Sequence, residues 1–298
     1  MTPFGTVGLI ARKGNRSIVE SVVTLEQFLS GRNVAIIVES STAAMLPQCA
    51  HRIEDRKALG ELCDLLIVVG GDGSLLGVAR DLAASQVPVI GINRGGLGFL
   101  ADIAPNQIEA KIGAVLDGEY FVDSRFMLDA SVIRGGKRIG GSCALNDVVV
   151  HAGTMSRMME FALHIDAKFV YDQRSDGLIV ATPTGSTAYA LSAGGPIMHP
   201  NLDAIVVVPM FPHTLTSRPL VVPSASAIKI VIGPSTSMNP QVSCDSQVDI
   251  GVETGDEIHI HKYAHALQLL YPREHSFYEA CRSKLDWATR LGGPVKND

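Results

Sequence analysis

Residues 65–77 read Leu65-Leu-Ile-Val-Val-Gly-Gly-Asp-Gly-Ser-Leu-Leu-Gly77. The unbroken apolar run over 65–69 has the pattern of a strand buried on both faces of a parallel sheet. The chain then turns through Gly70, Gly71, Asp72 and Gly73 into a segment of helical periodicity. Glycines let a backbone approach a bulky anion closely, and the free N–H groups of a helix N-terminus attract one. Asp72 stands inside that turn. A carboxylate there would repel a phosphate unless it took a proton from a hydroxyl or held a metal ion. The competing reading is a tight strand–helix turn whose Asp merely caps the helix. Two glycines before Asp72, one after it and the buried strand leading in favour phosphate chemistry. No Gly-x-x-x-x-Gly-Lys-Ser/Thr is present, and the glycine spacing from Gly71 is one residue longer than the dinucleotide fingerprint.

Working outward, residues 7–11, 34–38 and 87–92 also read as strands, with helical periodicity over 17–29 and 74–84. Strands alternating with helices imply a doubly wound parallel sheet, whose ligands bind at the carboxyl ends of the strands, where Asp72 lies. The texture changes after about residue 120. Strand patterns follow at 127–134, 144–151, 161–169, 177–181, 204–208, 220–222, 228–232, 242–244, 257–261 and 267–270, with Gly, Pro, Ser or Asn between many of them. The expected organisation is an α/β domain over 1–120 and a mostly β domain over 121–273. Helical character returns in the tail, and a C-terminal helix within 274–298 is expected to pack back on the first domain.

The chain has 298 residues, 46% hydrophobic and 18% charged, which suits a large core. The formal net charge is -5 without a lysine or arginine run, so nucleic acid is not an expected partner. No apolar run reaches the length of a membrane span, and the first residues do not resemble a secretory signal. Cys49, Cys63, Cys143, Cys244 and Cys281 are scattered, odd in number and without a C-x-x-C, as in a reduced cytoplasmic protein.

A second cluster runs from Asp176 to Pro196 and is dense in small and hydroxylated residues. A strand leads into Thr182-Pro-Thr-Gly-Ser-Thr187 and then toward an expected helix. Thr184, Ser186 and Thr187 would offer hydroxyls to an anion or a sugar, or serve as ordinary caps of a turn. Asn146 and Asp147 open an apolar strand, where polar side chains bind ribose or purine or act as turn residues. Arg174 and Asp176 put a cation and a carboxylate before the hydroxyl-rich loop, or form a surface ion pair of small value. His259, His261 and His265 read as residues of a solvated strand rather than metal ligands.

With both clusters in hand, the chain resembles the NAD kinases. The resemblance rests on Gly70-Gly-Asp-Gly73, Gly91-Ile-Asn-Arg-Gly-Gly-Leu-Gly-Phe-Leu100, Asn146-Asp147 and the run from Asp176 to Pro196, in order and spacing. Pro209-Met-Phe-Pro-His213, Arg218-Pro219-Leu220 and Ser243-Cys-Asp-Ser-Gln247 match as well. Gly-Gly-Asp-Gly alone also resembles diacylglycerol and sphingosine kinases and phosphofructokinases; the run through Gly185-Ser-Thr-Ala-Tyr189 narrows it.

The resemblance implies an NAD kinase/diacylglycerol kinase-like fold. It implies phosphate transfer from ATP to the 2′-hydroxyl of the adenosine ribose of NAD, giving NADP. A divalent ion, Mg2+ or similar, is expected with ATP, and no protein ligand is assigned to it. In such kinases Asp72 is the proton acceptor, Gly70, Gly71 and Gly73 frame the phosphate loop, and Asn146 and Asp147 hold the adenosine end. Thr187, Ala188, Tyr189, Ala190, Leu191 and Ser192 line the same pocket, and Arg157, Arg174, Asp176 and Gln247 fall at family binding positions. Asp147 stands where many bacterial members carry Glu. Family members are homo-oligomers, so a dimer or tetramer is expected. The alternative is a kinase of another small hydroxyl compound, such as a lipid or sugar phosphate; a lipid kinase should show a larger apolar pocket and a membrane-facing surface, and neither is read in this sequence. A non-catalytic dinucleotide sensor would not need Asp72 in its glycine frame. A helix N-terminus stabilises an ionised carboxylate, so orienting the hydroxyl is half of the expected role of Asp72.

Overall fold

The computed structural model describes residues 3–14, 16–96, 98–153, 158–234 and 239–286. In chain order the first elements are β1 (Thr6–Ala11), α1 (Arg16–Gly31), β2 (Ala35–Glu39), α2 (Ser40–Ala43), β3 (Arg52–Glu54), α3 (Arg56–Leu62), β4 (Leu65–Gly70), α4 (Asp72–Leu82), β5 (Val89–Asn93), α5 (Ile108–Leu116) and β6 (Tyr120–Arg125). There follow β7 (Leu128–Arg134), β8 (Lys137–Ala144), β9 (Asp147–His151), β10 (Met159–Ile165), β11 (Lys168–Ser175), β12 (Gly177–Ala181), α6 (Tyr189–Ser192), β13 (Ala204–Met210), β14 (Leu220–Pro223), β15 (Ile228–Ile232), β16 (Gln241–Cys244), β17 (Val248–Gly251) and β18 (Glu257–Lys262). The last are β19 (Leu267–Pro272) and α7 (Phe277–Leu285). The chain divides into one unit of Met1–Asp123 with Gln268–Asp298 and a second of Ser124–Leu267.

The first unit carries a sheet of order β3-β2-β1-β4-β5-β19-β6, parallel at β3/β2, β2/β1, β1/β4, β4/β5 and β5/β19. Every residue of β4 is buried. Its alternation divides the core. Leu65, Ile67 and Val69 pack with Ile18, Val22, Leu25 and Leu29 of α1 and with Ile108 and Ile112 of α5. Those α1 residues recur at helical spacing, so one stripe meets the sheet. On the opposite face, Gly8 of β1 lies against Leu59, Cys63 and Leu66, and Gly91 of β5 against Leu75 of α4. Burying each such Leu, Ile or Val contributes about 1.5–3 kcal/mol, and β4 therefore fixes the position of the turn that follows it. Strand order reverses between β1 and β4, which is where a doubly wound sheet opens its ligand crevice.

The second unit contains two six-stranded sheets, β11-β10-β15-β18-β7-β8 and β14-β13-β12-β9-β16-β17. Alternate residues of both fill one core, among them Val132, Val148, Val150, Phe161, Leu178, Val180, Ile230 and Ile258. The far face of the second sheet is also buried, with Val149, Ile179 and Val206 packed on Ala190 and Met198.

Three sequence expectations need correction. Residues 144–151 do not form one strand: β8 ends at Ala144 and β9 begins at Asp147. The amides of 145–147 turn aside to the Asp245 carboxylate, which removes them from the ladder. Residues 161–169 are not one strand either. Asp166 and Ala167 take left-handed conformations (φ 50 and 61) and fold the segment into the β10/β11 hairpin. The helix expected after Thr187 is a single turn, Tyr189–Ser192. Gly194, at φ +85, lies just beyond it.

Candidate active site

Gly71 caps α4 in an extended conformation, and Asp72 is the first helical residue. Its carboxylate accepts three backbone N–H bonds from one short stretch. Phe99 donates to Oδ2 at 2.6 Å, and Leu100 and Ala101 donate to Oδ1 at 3.0 and 3.1 Å. The stretch can lie this close because it is rich in glycine. A Cβ on Gly98 would sit 2.6 Å from Asp72 Oδ1, and one on Gly95 would sit 3.2 Å from the Cα of Gly71. Asn93, at the end of β5, steadies the entry by accepting from Gly95 N at 2.9 Å. Arg94 N donates to Gly70 O at 2.8 Å, and Arg12 N to Val69 O at 3.0 Å. The ends of β1, β4 and β5 thus fix the Gly70–Gly71–Asp72–Gly73 turn at the reversal of strand order. A carboxylate has roughly four lone-pair sites. With two N–H donors on Oδ1 and one on Oδ2, Oδ2 retains room for one further donor.

In the second unit the organising group is Asp245, to which the sequence reading gave no role. Both Asp245 and Ser246 are left-handed (φ 53 each) in the turn from β16 to β17. The Asp245 carboxylate accepts Leu145 N at 2.8 Å, Asn146 N at 2.7 Å and Asp147 N at 3.2 Å. Its own N–H donates to Asp147 O at 3.0 Å. Asp147 is only 3% exposed, and its side chain makes no hydrogen bond among the described residues. Burial, and then the charge of Asp245, pushes its carboxyl up to about 7. The half-buried Asn146 likewise keeps its side-chain amide unengaged among the described residues. Polar side chains left unengaged at the lip of a strand are available to a ligand.

The hydroxyl-rich loop packs directly on Asn146. Thr182 N donates to Asn146 O at 2.9 Å, and a Cβ on Gly185 would lie 2.1 Å from that oxygen. Most of its hydroxyls are used internally. Thr182 Oγ1 donates to Leu145 O at 2.6 Å, and Ser186 Oγ donates to Pro183 O at 2.6 Å while accepting from Met198 N at 2.9 Å. Thr187 Oγ1 donates to Thr184 O at 3.2 Å, and Thr184 accepts from Arg125 Nη1 at 3.1 Å. For Ser186 the turn-capping reading is therefore the right one, since its hydroxyl is buried with both roles taken. Tyr189 is exposed at 44%, whereas Ala190 lies in the core.

The remaining positions spread over the unit. Arg174 pairs with Glu160 at 3.2 Å, not with Asp176. Asp176, between β11 and β12, is tied by its backbone to Met210 and Ala152. Gln247 is exposed in the β16/β17 turn. Arg157 lies outside the described residues. His259 pairs with Glu257 at 2.8 Å, and His261 lies 3.4 Å from Asp129. Among the described residues no group of three or more His, Cys, Asp or Glu side chains is placed to hold a metal ion. No described helix is long and apolar enough to cross a membrane.

Comparison with known proteins matches residues 7–120 to the ATP-NAD kinase N-terminal domain and residues 145–271 to the ATP-NAD kinase C-terminal domain. The NAD kinase of Ectopseudomonas mendocina (strain ymp) is 55% identical over 293 residues, covering 98% of this chain and 99% of its own. That of Pseudomonas aeruginosa (strain LESB58) is similar to the same extent. Among solved structures, yeast NADH kinase complexed with NADH superposes with a TM-score of 0.88 at 26% identity, over 100% of this chain and 91% of its own. An NAD kinase from Archaeoglobus fulgidus shares the fold, with a TM-score of 0.72 at 24% identity over 94% of this chain and 98% of its own.

Proposed function

The chain belongs to the NAD kinase family, and we propose that Asp72 receives the proton of the hydroxyl that it phosphorylates. The reaction is transfer of the terminal phosphate of ATP to NAD, giving NADP. The observation that carries the assignment is the Asp72 carboxylate, held by three amides with one oxygen still able to accept. A ribose hydroxyl is a poor nucleophile until its proton has somewhere to go. As the 2′-oxygen bonds to the γ-phosphorus, its O–H bond breaks toward Oδ2, and the P–O bond to ADP breaks with its electron pair leaving on ADP. A positioned base contributes about 10²–10⁴-fold. Gly70, Gly71 and Gly73 keep the backbone open beside the α4 N-terminus, whose N–H groups attract phosphate.

A divalent ion would accompany the triphosphate. Magnesium is ordinarily held by phosphate oxygens, waters and one or two carboxylates rather than by an all-protein cage. The side chains fit that mode, since among the described residues no group of three or more His, Cys, Asp or Glu forms an all-protein cage, and the open position on Asp72 is left to the hydroxyl. When bound, the ion neutralises charge on the phosphates.

Asn146 and Asp147 hold the adenosine end of NAD, which supplies the partners their side chains lack. Thr187, Ala188, Tyr189, Leu191 and Ser192 line that pocket, and Ala190 contributes through its backbone. Arg157, Arg174, Asp176 and Gln247 complete the binding positions. Edge strands β11 and β14 expose Phe169, Val170, Leu220 and Val221, a liability that pairing with a second copy removes, so the enzyme is a homo-oligomer. Five free thiols suit a cytoplasmic enzyme.

Two variants test these roles separately. Asp72→Asn should lower kcat by about 10²–10⁴-fold while calorimetry still finds NAD bound. Asn146→Ala should weaken NAD binding by about 1–3 kcal/mol while the fold survives. Near-normal turnover in the first, or unchanged NAD affinity in the second, would overturn the corresponding role.

A further inference from the structure

The stretch that holds Asp72 is itself held from its other side. Residues 99–101 turn their N–H groups to the Asp72 carboxylate. Their outward-facing groups meet three residues from the end of the chain. Lys284 Nζ donates to Gly98 O, and Tyr271 Oη donates to Leu100 O at 3.2 Å. His275 Nδ1 pairs with Asp102 Oδ2 at 2.7 Å, and Lys284 Nζ lies 3.7 Å from Asp102 Oδ1. The Lys284 ammonium also stands over the Phe99 ring, 5.6 Å from its centroid. His275 stacks on Tyr271 at 3.9 Å and 12°, so these two form one rigid piece.

The ionisable side chains of this cluster are well covered. The side chain of His275 is 8% exposed and that of Lys284 14%. Lysine is seldom buried unless paired, and here Lys284 pairs with Asp102 and with the Gly98 carbonyl. The hydrogen bond from His275, opposed by burial and reinforced by Lys284, holds the Asp102 carboxyl below its ordinary value. The strand that carries Tyr271 pairs with β5, whose end feeds the same stretch, through Leu269 and Val89. The peptides joining Gly98 to Phe99 and Leu100 to Ala101 are thus fixed from both sides, their N–H groups by the Asp72 carboxylate and their carbonyls by Lys284 and Tyr271.

We infer that Lys284, with Tyr271 and His275, is a positioning residue for phosphoryl transfer: it sets the amides of residues 99–101 and, through them, the direction of the Asp72 carboxylate. None of the three needs to touch substrate. The inference rests on Asp72 as the proton acceptor. The base must sit within hydrogen-bond reach of the hydroxyl, so a small rotation of its carboxylate slows chemistry without weakening the binding of NAD or ATP.

The test uses the full-length enzyme. Lys284→Met should lower kcat by about 10- to 100-fold, the cost of a misplacement of about 1 Å, while the KM values for NAD and ATP stay within about two-fold. Lys284→Arg, which keeps the charge and donors, should restore most of the rate. Hydrogen–deuterium exchange of the amides of residues 99–101 should speed up in Lys284→Met. In an Asp72→Asn background the lysine substitution should cost less than about two-fold, because its effect passes through the carboxylate. Should Lys284→Met fail to fold, Tyr271→Phe removes one hydroxyl and should still speed exchange at 99–101 and lower kcat. Wild-type kcat in folded Lys284→Met, or its full loss repeated on top of Asp72→Asn, would overturn the inference. Wild-type turnover in Asp72→Asn alone would instead overturn the assignment of the base.

Discussion

Replacing Asp147 by Asn should stabilise the protein at alkaline pH and remove a proton from the thermodynamics of NAD binding. Asp147 is almost fully buried, and burial together with the nearby Asp245 charge pushes its carboxyl up from 3.8 to about 7. The unfolded chain releases this proton near its ordinary value, whereas the folded chain keeps it until about 7. Between those values the folded state binds more protons, so stability falls as pH rises and the loss is complete above about 7. A gap of about three pH units at ~1.4 kcal/mol per unit corresponds to about 4 kcal/mol. Asparagine carries no charge to bury. The thermal midpoint of Asp147→Asn should therefore exceed that of the parent, by a margin that widens from about pH 5 to about pH 8. A ribose hydroxyl donating to Asp147 favours its ionised form, so NAD binding below about pH 7 should release a proton. Calorimetry in two buffers of different ionisation heat counts that proton, and the variant should release none from this site. Parallel stability–pH curves for parent and variant would refute the account of Asp147.

Two further outcomes follow from the geometry. Gly98→Ala places a Cβ 2.6 Å from Asp72 Oδ1, so steady-state kinetics should show kcat reduced by about 10-fold or more with little change in NAD affinity; a rate equal to the parent would show that the stretch yields freely. If edges β11 and β14 are covered by a second copy, light scattering should report an oligomer at working concentration and activity should fall on dilution, whereas a fully active monomer at every concentration would refute the assembly.

The doubly wound sheet was legible because a parallel strand buried on both faces writes itself as an unbroken apolar run, as residues 65–69 do. The mostly β character of the later region was legible from alternation, as in Phe161, Leu163 and Ile165. The hairpin at Asp166 and Ala167 was not, because neither residue is a glycine and the left-handed pair is imposed by tertiary context. Asp166 is held there by bonds from Ser226 Oγ at 3.1 Å and Ala227 N at 2.9 Å. The break before β9 was hidden for a similar reason, since the acceptor that causes it, Asp245, lies about a hundred positions away. Asp72 stood out through its glycine frame. Its three donors are backbone amides, which no residue letter records, and Gly98 was the one visible sign of their close approach. The hydroxyls of Ser186 and Thr187 looked like ligand donors in sequence because composition cannot show that a hydroxyl is already engaged.

The most direct measurement is of the product. The purified protein is incubated with NAD, ATP and magnesium, and NADP is read with an NADP-specific dehydrogenase, with phosphorus NMR locating the new phosphate. The account predicts NADP and ADP in equal amounts, phosphate on the 2′-hydroxyl, and loss of the product when the divalent ion is chelated. Absence of NADP at high enzyme concentration, or phosphate on a different hydroxyl, would contradict it.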